Sequence, residues 1–451
     1  MSAPADIVAD LRATVARALA SHVPDGGRVA IGLSGGRDSV VLLDALAAVV
    51  PAHSLIALHV HHGLSPHADA WASFCRDACA AHGVALAVRR VQVSPPPQAS
   101  LEDVARRLRY AALVAAAREA GATTVALAHH RDDQAETLLL QLLRGAGPHG
   151  LAGMPALRDD PRGVAWWRPL LACPRADVDA YAAARGLAFV DDESNARPRH
   201  RRNALRHLVF PALREAGFAA AGATLARAAE HQADALRLAD DVAREDARTA
   251  FDGATLARAA LRELPPHRAR NLLRWFLHAR GRTPPSTARL AEMLAQLAAA
   301  RDDAQVRIAH DGAELGVHRG RIHVHAPLPP PFAVRWAGEA SLDLPHGTLR
   351  FASVAAAAGP GLIAAAQASR AGLDVRLRRG GERLHHAANR PRRALKVILH
   401  EAGMPVWERR SLPILCVGDE VVAVPGIGVA LAAQAAPGAP GYSMSWHPAP
   451  V

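Results

Sequence analysis

Lysine is almost missing from this 451-residue chain: Lys396 stands alone, and the rest of the 53 basic side chains are arginines. A Walker-type phosphate lysine or a Schiff-base lysine in the N-terminal half is therefore excluded. Aromatic residues make up only 4%, although 50% of the chain is hydrophobic, so the apolar content is mostly Ala, Leu and Val in short runs. Those runs are cut by proline, glycine or charge, as in Val421-Val422-Ala423-Val424-Pro425-Gly426. None reaches the ~20 residues of a membrane span. The four cysteines, Cys75, Cys79, Cys173 and Cys416, show no CxxC spacing. They read as buried thiols, which excludes a disulfide scaffold and disfavours a zinc site. Met1-Ser2-Ala3-Pro4-Ala5-Asp6 has neither the basic start nor the apolar core of a signal peptide, so a cytoplasmic location is expected, with no membrane partner.

At ~150 residues per domain the length suggests about three domains. The formal net charge is +11, a field that attracts polyanions such as nucleic acid. A GC-rich genome would produce the same arginine bias, so the clustering of the charge matters more than its sum.

From Arg28 to about Val190, short β-branched runs alternate with stretches of 3.6-residue period, the pattern of a parallel sheet covered by helices. Strands are predicted at Val29–Leu33, Leu55–His61, Ala85–Val93 and Thr124–Ala128. Helices are predicted at Ser39–Val49, Ala68–His82, Ser100–Glu119 and Asp133–Leu143, after an opening helix that uses Ile7, Leu11, Val15 and Leu19 as one face. Beyond Pro211 the composition turns to Ala, Leu, Arg and Glu, a helical region with breaks at Pro265-Pro266 and Pro284-Pro285 and a small hairpin at Val306–His325. Pro327-Leu328-Pro329-Pro330-Pro331 is a stiff linker. Past it, short strands mix with one helical stretch near Arg392–Ala402. The expected division is 1–214, 215–326 and 327–451: an α/β Rossmann-like parallel-sheet domain, a helical domain and a small α+β domain.

Ser34-Gly35-Gly36-Arg37-Asp38-Ser39 lies between a predicted strand and a predicted helix. Such a loop points backbone N–H groups at one place, where the helix dipole adds positive charge, so anions bind there. Gly35 and Gly36 let the backbone approach closely, Ser34 and Ser39 add hydroxyl donors, and Asp38 suits a magnesium ion on the same phosphates. A tight strand-to-helix turn is the bland alternative. Asp133 and Glu136, at i and i+3, project from one face of a helix start, where they either favour the dipole or seize an ammonium. Glu102, Arg106 and Arg109 share another helix face, and a solvated charge stripe would look the same. His59, His61 and His62 are close, yet the strand and the Gly63 turn argue against a metal site.

The six-residue loop resembles the SGGxDS signature of the PP-loop ATP pyrophosphatases, which break ATP between the α and β phosphates without a Walker lysine. Arg37 occupies the variable position, an unusual choice there. With His59-Val60-His61-His62-Gly63-Leu64, Ala128-His129-His130-Arg131-Asp132-Asp133-Gln134-Ala135-Glu136-Thr137, Arg144-Gly145-Ala146-Gly147, Arg168-Pro169-Leu170-Leu171, Asp192-Glu193-Ser194-Asn195, Arg202-Asn203 and Arg206, residues 28–211 resemble the tRNA(Ile)-lysidine synthase family. The resemblance returns in Gly380-Gly381-Glu382-Arg383 and Glu401-Ala402-Gly403-Met404-Pro405-Val406-Trp407. It departs from many relatives at Ser65, where a basic residue is common.

That resemblance implies an ATP-dependent carbon–nitrogen ligase using ATP and Mg2+. It would adenylate the C2 carbonyl oxygen of the wobble cytidine in isoleucine tRNA with a CAU anticodon and join free L-lysine to C2, giving lysidine, AMP and pyrophosphate and changing codon reading from AUG to AUA. Ser34, Gly35, Gly36, Arg37, Asp38 and Ser39 would serve ATP, with Asp38 on the metal. Arg109, Asp133 and Glu136 would hold lysine, and His129 would lie near the reacting base. Asp38, His129, Asp133 and Glu136 form the expected catalytic set. Making the neutral amine of lysine at about pH 7.4 costs roughly 4 kcal/mol, so some group must accept its proton, and a carboxylate, His129 and water all remain candidates.

Two basic clusters suit a tRNA backbone: Arg202 and Arg206, with Arg197, Arg199 and Arg201 beside them, and Arg378, Arg379, Arg383, Arg392, Arg393 and Lys396, with Arg376 and Arg390. A solvated face is the bland alternative for each. The rivals are an NAD-synthetase-like enzyme, which leaves the basic tail without a role, a tRNA thiolase, which needs reactive cysteines, and a non-catalytic nucleotide-sensing tRNA binder. The sequence leaves the oligomeric state open, a homodimer included.

Overall fold

The structure, a computed structural model, describes residues 4–24, 26–94, 96, 100–191, 201–300, 306–356, 361–368 and 373–449. Asp192-Glu193-Ser194-Asn195, Arg197 and Arg199 thus lie outside the described residues. The chain forms two compact units, Met1–Leu238 and Ala239–Val451.

In the first unit, α1 (Pro4–His22) leads into β1 (Val29–Gly32), α2 (Arg37–Ala47), β2 (Leu55–His61), α3 (Ala68–Ala81) and β3 (Ala85–Arg90). Then come α4 (Leu101–Glu119), β4 (Thr124–Ala126), α5 (Arg131–Leu142), the single turn α6 (Pro148–Leu151), β5 (Leu157–Asp160), β6 (Val164–Trp167) and α7 (Arg175–Ala184). The sheet order is β3-β2-β1-β4-β6-β5. All neighbours pair in parallel except β5, an antiparallel edge strand on β6. This β5–β6 hairpin is absent from the sequence-based expectation. β6 is short, and its Trp166 and Trp167 are fully buried on opposite faces, one in each of the two cores that sandwich the sheet.

Alternation along β1 sends Val29 and Ile31 into one core and Ala30 into the other, as the two-residue period of a strand requires. The chain runs from β1 to β2 on one side, and β4 later returns on the other. The order therefore reverses between β1 and β4, and ligands of open parallel sheets bind beyond the carboxyl ends of the strands at that point.

A short stretch follows, with α8 (Arg201–Ala204), one π-helical turn at Leu205–Val209 and α9 (Phe210–Glu215), and then α10 (Ala221–Ala250) carries the chain into the second unit. Gly217, at φ +91°, ends α9 as a left-handed stop. The second unit opens with β7 (Leu256–Ala257), α11 (Arg258–Glu263), α12 (Pro266–Ala279) and α13 (Thr287–Ala299). Where a single hairpin was expected, three strands form: β8 (Arg307–His310), β9 (Ala313–His318) and β10 (Arg321–His325), with β7 paired to β10. The reason is local, because Asp311-Gly312 and Arg319-Gly320 all take positive φ, two tight turns rather than one.

Beyond the proline linker are β11 (Ala333–Arg335), β12 (Ser341–Leu344), β13 (Gly347–Val354), β14 (Ile363–Ala364), α14 (Ala365–Ala368) and β15 (Leu373–Leu377). They are followed by β16 (Arg383–Leu384), β17 (Arg393–Ala394), α15 (Leu395–Glu401), α16 (Val406–Ser411), β18 (Pro413–Val417), β19 (Glu420–Val424), β20 (Gly428–Val429) and β21 (Gly441–Pro448). Two sheets, β11-β15-β18-β19-β20 and β12-β13-β21-β14, share a core around Trp336, Leu349, Phe351 and Val375. Trp407 stacks on His325 of β10, ring centroids 4.4 Å apart and 3° from parallel.

One buried acid pins the first unit together. Asp44 of α2, only 2% exposed, accepts from the Tyr181 hydroxyl at 2.6 Å, from Arg12 at 3.2 Å and from Arg185 at 3.2 Å, tying α2 to α1 and α7. Burial would raise its carboxyl, but Arg185, Tyr181 and Arg12 hold it below the ordinary aspartate value. Its stabilisation is complete above the unfolded-state pKa of about 3.9 and is lost as pH falls through the lowered folded value. Asp44→Ala is expected to cost about 3 kcal/mol at neutral pH. Urea unfolding followed by circular dichroism should show this deficit shrinking below pH ~3.9. Equal midpoints for variant and wild type at pH 7 would contradict this role.

Candidate active site

The loop after β1 leaves a helix start without a side-chain cap. Gly35 takes φ +90°, and a Cβ there would sit 3.2 Å from Cys75 Sγ and 3.5 Å from both Phe74 and Val190. The Ser34 and Ser39 hydroxyls meet at 3.1 Å, Ser39 donates to the Gly36 carbonyl at 2.8 Å and Gly36 N–H donates to Ser34 Oγ at 3.3 Å. Gly36 is the N-cap of α2 and supplies no side-chain cap, so the first-turn N–H groups face outward unengaged by the chain's own side chains. Asp38 Oδ1 is buried without a hydrogen-bond partner. The Arg37 guanidinium pairs with Asp179 of α7 at 3.0 Å, lies 5.5 Å from the Phe189 ring centroid and keeps its Nε 4.0 Å from Asp38 Oδ1. Of the six loop residues expected at the anion, Arg37 is the one whose side chain is engaged elsewhere.

The loop after the neighbouring β4 leads to the acidic pair. α5 begins at Arg131, two residues before the sequence-based start, which makes His130 its N-cap and Asp133 its third residue. A reciprocal capping box results, with Asp133 N–H donating to His130 Nδ1 at 3.4 Å and His130 N–H donating to Asp133 Oδ2 at 3.0 Å. Because Nδ1 accepts, the neutral ring carries its proton on Nε2, and Nε2 faces Asp38 Oδ2 at 3.8 Å. His130, fully buried, is thus hydrogen-bonded to Asp133 and lies next to Asp38, its Nε2 having no hydrogen-bond partner among the described residues. Sequence reasoning passed over it in favour of His129, although its spacing of three from Asp133 is the capping-box signal.

Asp133 and Glu136 come together as expected, and Arg206 lies between them. Its guanidinium is 2.8 Å from Glu136 Oε1 and 3.4 Å from Asp133 Oδ1, so this expected tRNA contact is engaged with the acids. Burial pushes the Glu136 carboxyl above the ordinary range in spite of Arg206, and Oε2 has no hydrogen-bond partner. Burial acts on Asp133 in the same sense, but His130, His129 and Arg206 carry it below. The two acids are thereby driven apart, the arrangement that separates a proton acceptor from a fixed charge. His129 is half-buried. Burial first, then Arg168, Arg202 and Arg106, lower its pKa to about 3 against the pull of Asp133.

Other expected residues lie apart. Arg109 is exposed, with its guanidinium 5.8 Å from the Tyr110 ring centroid, and it is not among the groups hydrogen-bonded to Asp133 or Glu136. Arg202 donates to Thr137 Oγ1 at 3.1 Å. His59 Nδ1 bonds the Leu33 carbonyl at 2.9 Å and supports the first loop from behind. Among the described residues, no group of three or more His, Cys, Asp or Glu side chains is arranged to hold a metal ion. Burial pushes the Cys75 thiol up to about 12 and Cys79, Cys173 and Cys416 to about 11.

In the second unit the basic run divides. Glu382 is buried and accepts from Arg376 Nη1 at 3.1 Å, Arg379 N–H at 2.5 Å and Gly380 N–H at 2.9 Å, fixing a turn in which Gly380 and Gly381 both take positive φ. Arg378 is largely enclosed, donating to the Arg409 carbonyl at 3.3 Å. Arg393 pairs with Glu401. Arg379, Arg383, Arg392 and Lys396 face outward.

The PP-loop domain profile matches residues 10–213, the TilS substrate binding domain 256–323 and the TilS substrate C-terminal domain 373–446. A tRNA(Ile)-lysidine synthase of Ralstonia nicotianae is 42% identical over 463 residues, covering 96% of each chain. That of Alkalilimnicola ehrlichii is 43% identical over 432 residues, covering 94% of this chain and 95% of its own. The chain belongs to the tRNA(Ile)-lysidine synthase family. Among solved structures, a U34-tRNA thiolase from Methanococcus maripaludis aligns with TM-score 0.43 and 18% identity over 51% of this chain and 79% of its own.

Membership in this family of PP-loop enzymes implies use of ATP. Asp38 Oδ1, buried without a hydrogen bond and 4.0 Å from Arg37 Nε, is the kind of hard oxygen that magnesium prefers. Gly35→Ala, which forces a side chain into a left-handed position against Cys75, is expected to weaken ATP binding by roughly tenfold or more, since such strain costs on the order of 1–3 kcal/mol. Calorimetric titration with a non-hydrolysable ATP analogue checks this, and unchanged affinity would show that the loop does not hold the nucleotide.

Proposed function

We propose that this chain ligates free L-lysine to C2 of the wobble cytidine of isoleucine tRNA with a CAU anticodon, at the expense of ATP, through an adenylated base. The observation that carries this reading is the juxtaposition across β1 and β4 of an uncapped helix start and an acidic pair, joined by His130. In the first step the C2 oxygen of cytidine attacks the α phosphorus, and pyrophosphate leaves. The α2 N-terminus and the Ser34 and Ser39 hydroxyls stabilise the phosphate charge. Asp38 would hold Mg2+, which when bound supplies neutralisation of that charge.

In the second step the lysine ε-nitrogen attacks C2, the C2–O bond breaks, and AMP leaves with the oxygen. Asp133, kept ionised by the capping box, positions the ammonium. Glu136, with its raised pKa and free Oε2, accepts the proton. Arg109, exposed on α4, would meet the amino acid's carboxylate only after a change in side-chain position. A thiolase reading is disfavoured because the four cysteines are buried and resist ionisation.

Incubation with ATP, Mg2+, labelled lysine and CAU-anticodon tRNA is expected to place label in the tRNA with release of AMP, and equal labelling of tRNAs with other anticodons would contradict the substrate. Asp38→Ala should abolish adenylation, whereas Glu136→Gln should still form adenylated tRNA but lose lysine transfer by a factor on the order of 10² to 10⁴, the usual range for a general base. Loss of both steps together in the second variant would refute the division of roles.

The outward cations Arg379, Arg383, Arg392 and Lys396, with Arg202, would contact the tRNA backbone, Arg206 joining them only if released from the acids. Arg378 and Arg393, already engaged within the chain, would support that surface. Affinity for tRNA is expected to fall by about 10³ to 10⁵ between 50 and 200 mM salt for 6–10 phosphate contacts. A salt-independent affinity in filter binding would overturn the assignment.

A further inference from the structure

A cavity of about 360 Å³ with a strong charge imbalance lies between α4, the Gly153–Pro155 segment, β5 and the end of β6. Arg106 and Arg107 of α4, Arg158 of β5 and Arg168 just past β6 line it, and Asp103 is the single acid among the lining residues. Arg168 is only 5% exposed. Its Nη1 donates to the Pro155 carbonyl at 2.7 Å, and among the described residues its buried Nε has no hydrogen-bond partner. A guanidinium so enclosed is costly unless a counter-charge meets it. Its charged neighbours in the cavity, Arg158 and Arg106, are themselves cations. Tyr110 adds a hydroxyl, bonded by Arg106 Nη2 at 3.3 Å, and its ring packs on Trp166 at 4.7 Å, so the wall is rigid.

The cavity is built into the catalytic region. Gln134 of α5, next to Asp133, exchanges two hydrogen bonds with the Met154 backbone at 2.7 and 2.8 Å, fixing the rim formed by Gly153 and Met154. Gly153 takes φ +66°, and a Cβ there would lie 2.7 Å from Gln134 Oε1. The helix that carries the amine-binding acids therefore also sets the edge of the basic cavity.

We propose that this cavity seats a backbone phosphate of the tRNA close to the cytidine that is modified, with Arg168 as the buried anchor and Arg106, Arg107 and Arg158 as its outer clamp. The proposal rests on the reading of tRNA as substrate. A carboxylate and a phosphodiester each carry one negative charge, so the choice rests on geometry: planar N–H forks arriving from several sides suit a tetrahedral phosphodiester and its neighbours along a strand better than one planar carboxylate. Holding the strand next to the reacting base would position C2 without any contact to the base itself.

The test uses the full chain, CAU-anticodon isoleucine tRNA and L-lysine as separate probes, with Arg106→Gln, Arg158→Gln and Arg168→Gln. Arg106 and Arg158 are exposed, so those two variants carry the test if replacing buried Arg168 impairs folding. Each is expected to weaken tRNA binding about tenfold and to flatten the salt dependence of log K by about 0.7–0.9 for a lost phosphate contact, with the KM for lysine unchanged. A raised lysine KM with unaltered tRNA affinity would overturn the proposal in favour of a carboxylate pocket, and no change in either would show that the cavity takes no ligand. A wild-type chain that neither binds nor modifies this tRNA would overturn the underlying reading of function and the proposal with it.

Discussion

Everything in the catalytic unit depends on β1 and β4 lying side by side in parallel. That pairing, Val29 against Thr124 and Ile31 against Ala126, makes two strand-to-helix loops leave the sheet at one edge. The helices they begin are finished differently. α2 starts on a glycine that offers no side-chain cap, which leaves its N–H groups for a ligand, whereas α5 is closed by His130 and Asp133. One helix start is left without a side-chain cap, and the other uses its capping interactions to fix an acid in place.

The charge pattern follows from that division. Asp38, Asp133 and Glu136 converge behind a buried histidine, and Arg206 supplies the nearest compensating positive charge. Three acids beside a phosphate site would repel a nucleotide were the helix dipole, a metal ion and an incoming ammonium not available to offset them. Arginine rather than lysine serves as the internal cation throughout. It stays charged when buried, and with no lysine in the catalytic unit the only ε-ammonium near the acids would be that of a substrate.

Much of this was legible in the residues. The β-branched runs gave the first four strands, and the glycine pair with two serines gave the loop. The misses have physical causes. α5 begins two residues early because a histidine serves as its cap, and cap rules favour serine, threonine, aspartate and asparagine. β5 and β6 carry no β-branched run: Leu157-Arg158-Asp159-Asp160 is mostly charged, and Val164-Ala165-Trp166-Trp167 is set in place by packing its two tryptophans. Sign and spacing along the chain showed a basic run in the tail. They did not show that Arg376 and Arg378 turn inward to Glu382 and the Arg409 carbonyl while Arg379 and Arg392 face out. The basic cavity escaped notice for the same reason: its arginines come from α4, β5 and the end of β6, which only the folded sheet brings together.

The most direct test of the central claim is a crystal structure of the full chain soaked with a non-hydrolysable ATP analogue and lysine. The account requires the phosphates within hydrogen-bond reach of the backbone N–H groups of residues 36–39, and the lysine ammonium against Asp133 and Glu136 in place of the Arg206 guanidinium. A nucleotide seated away from residues 34–39, or lysine bound with its carboxylate toward those acids, would contradict it.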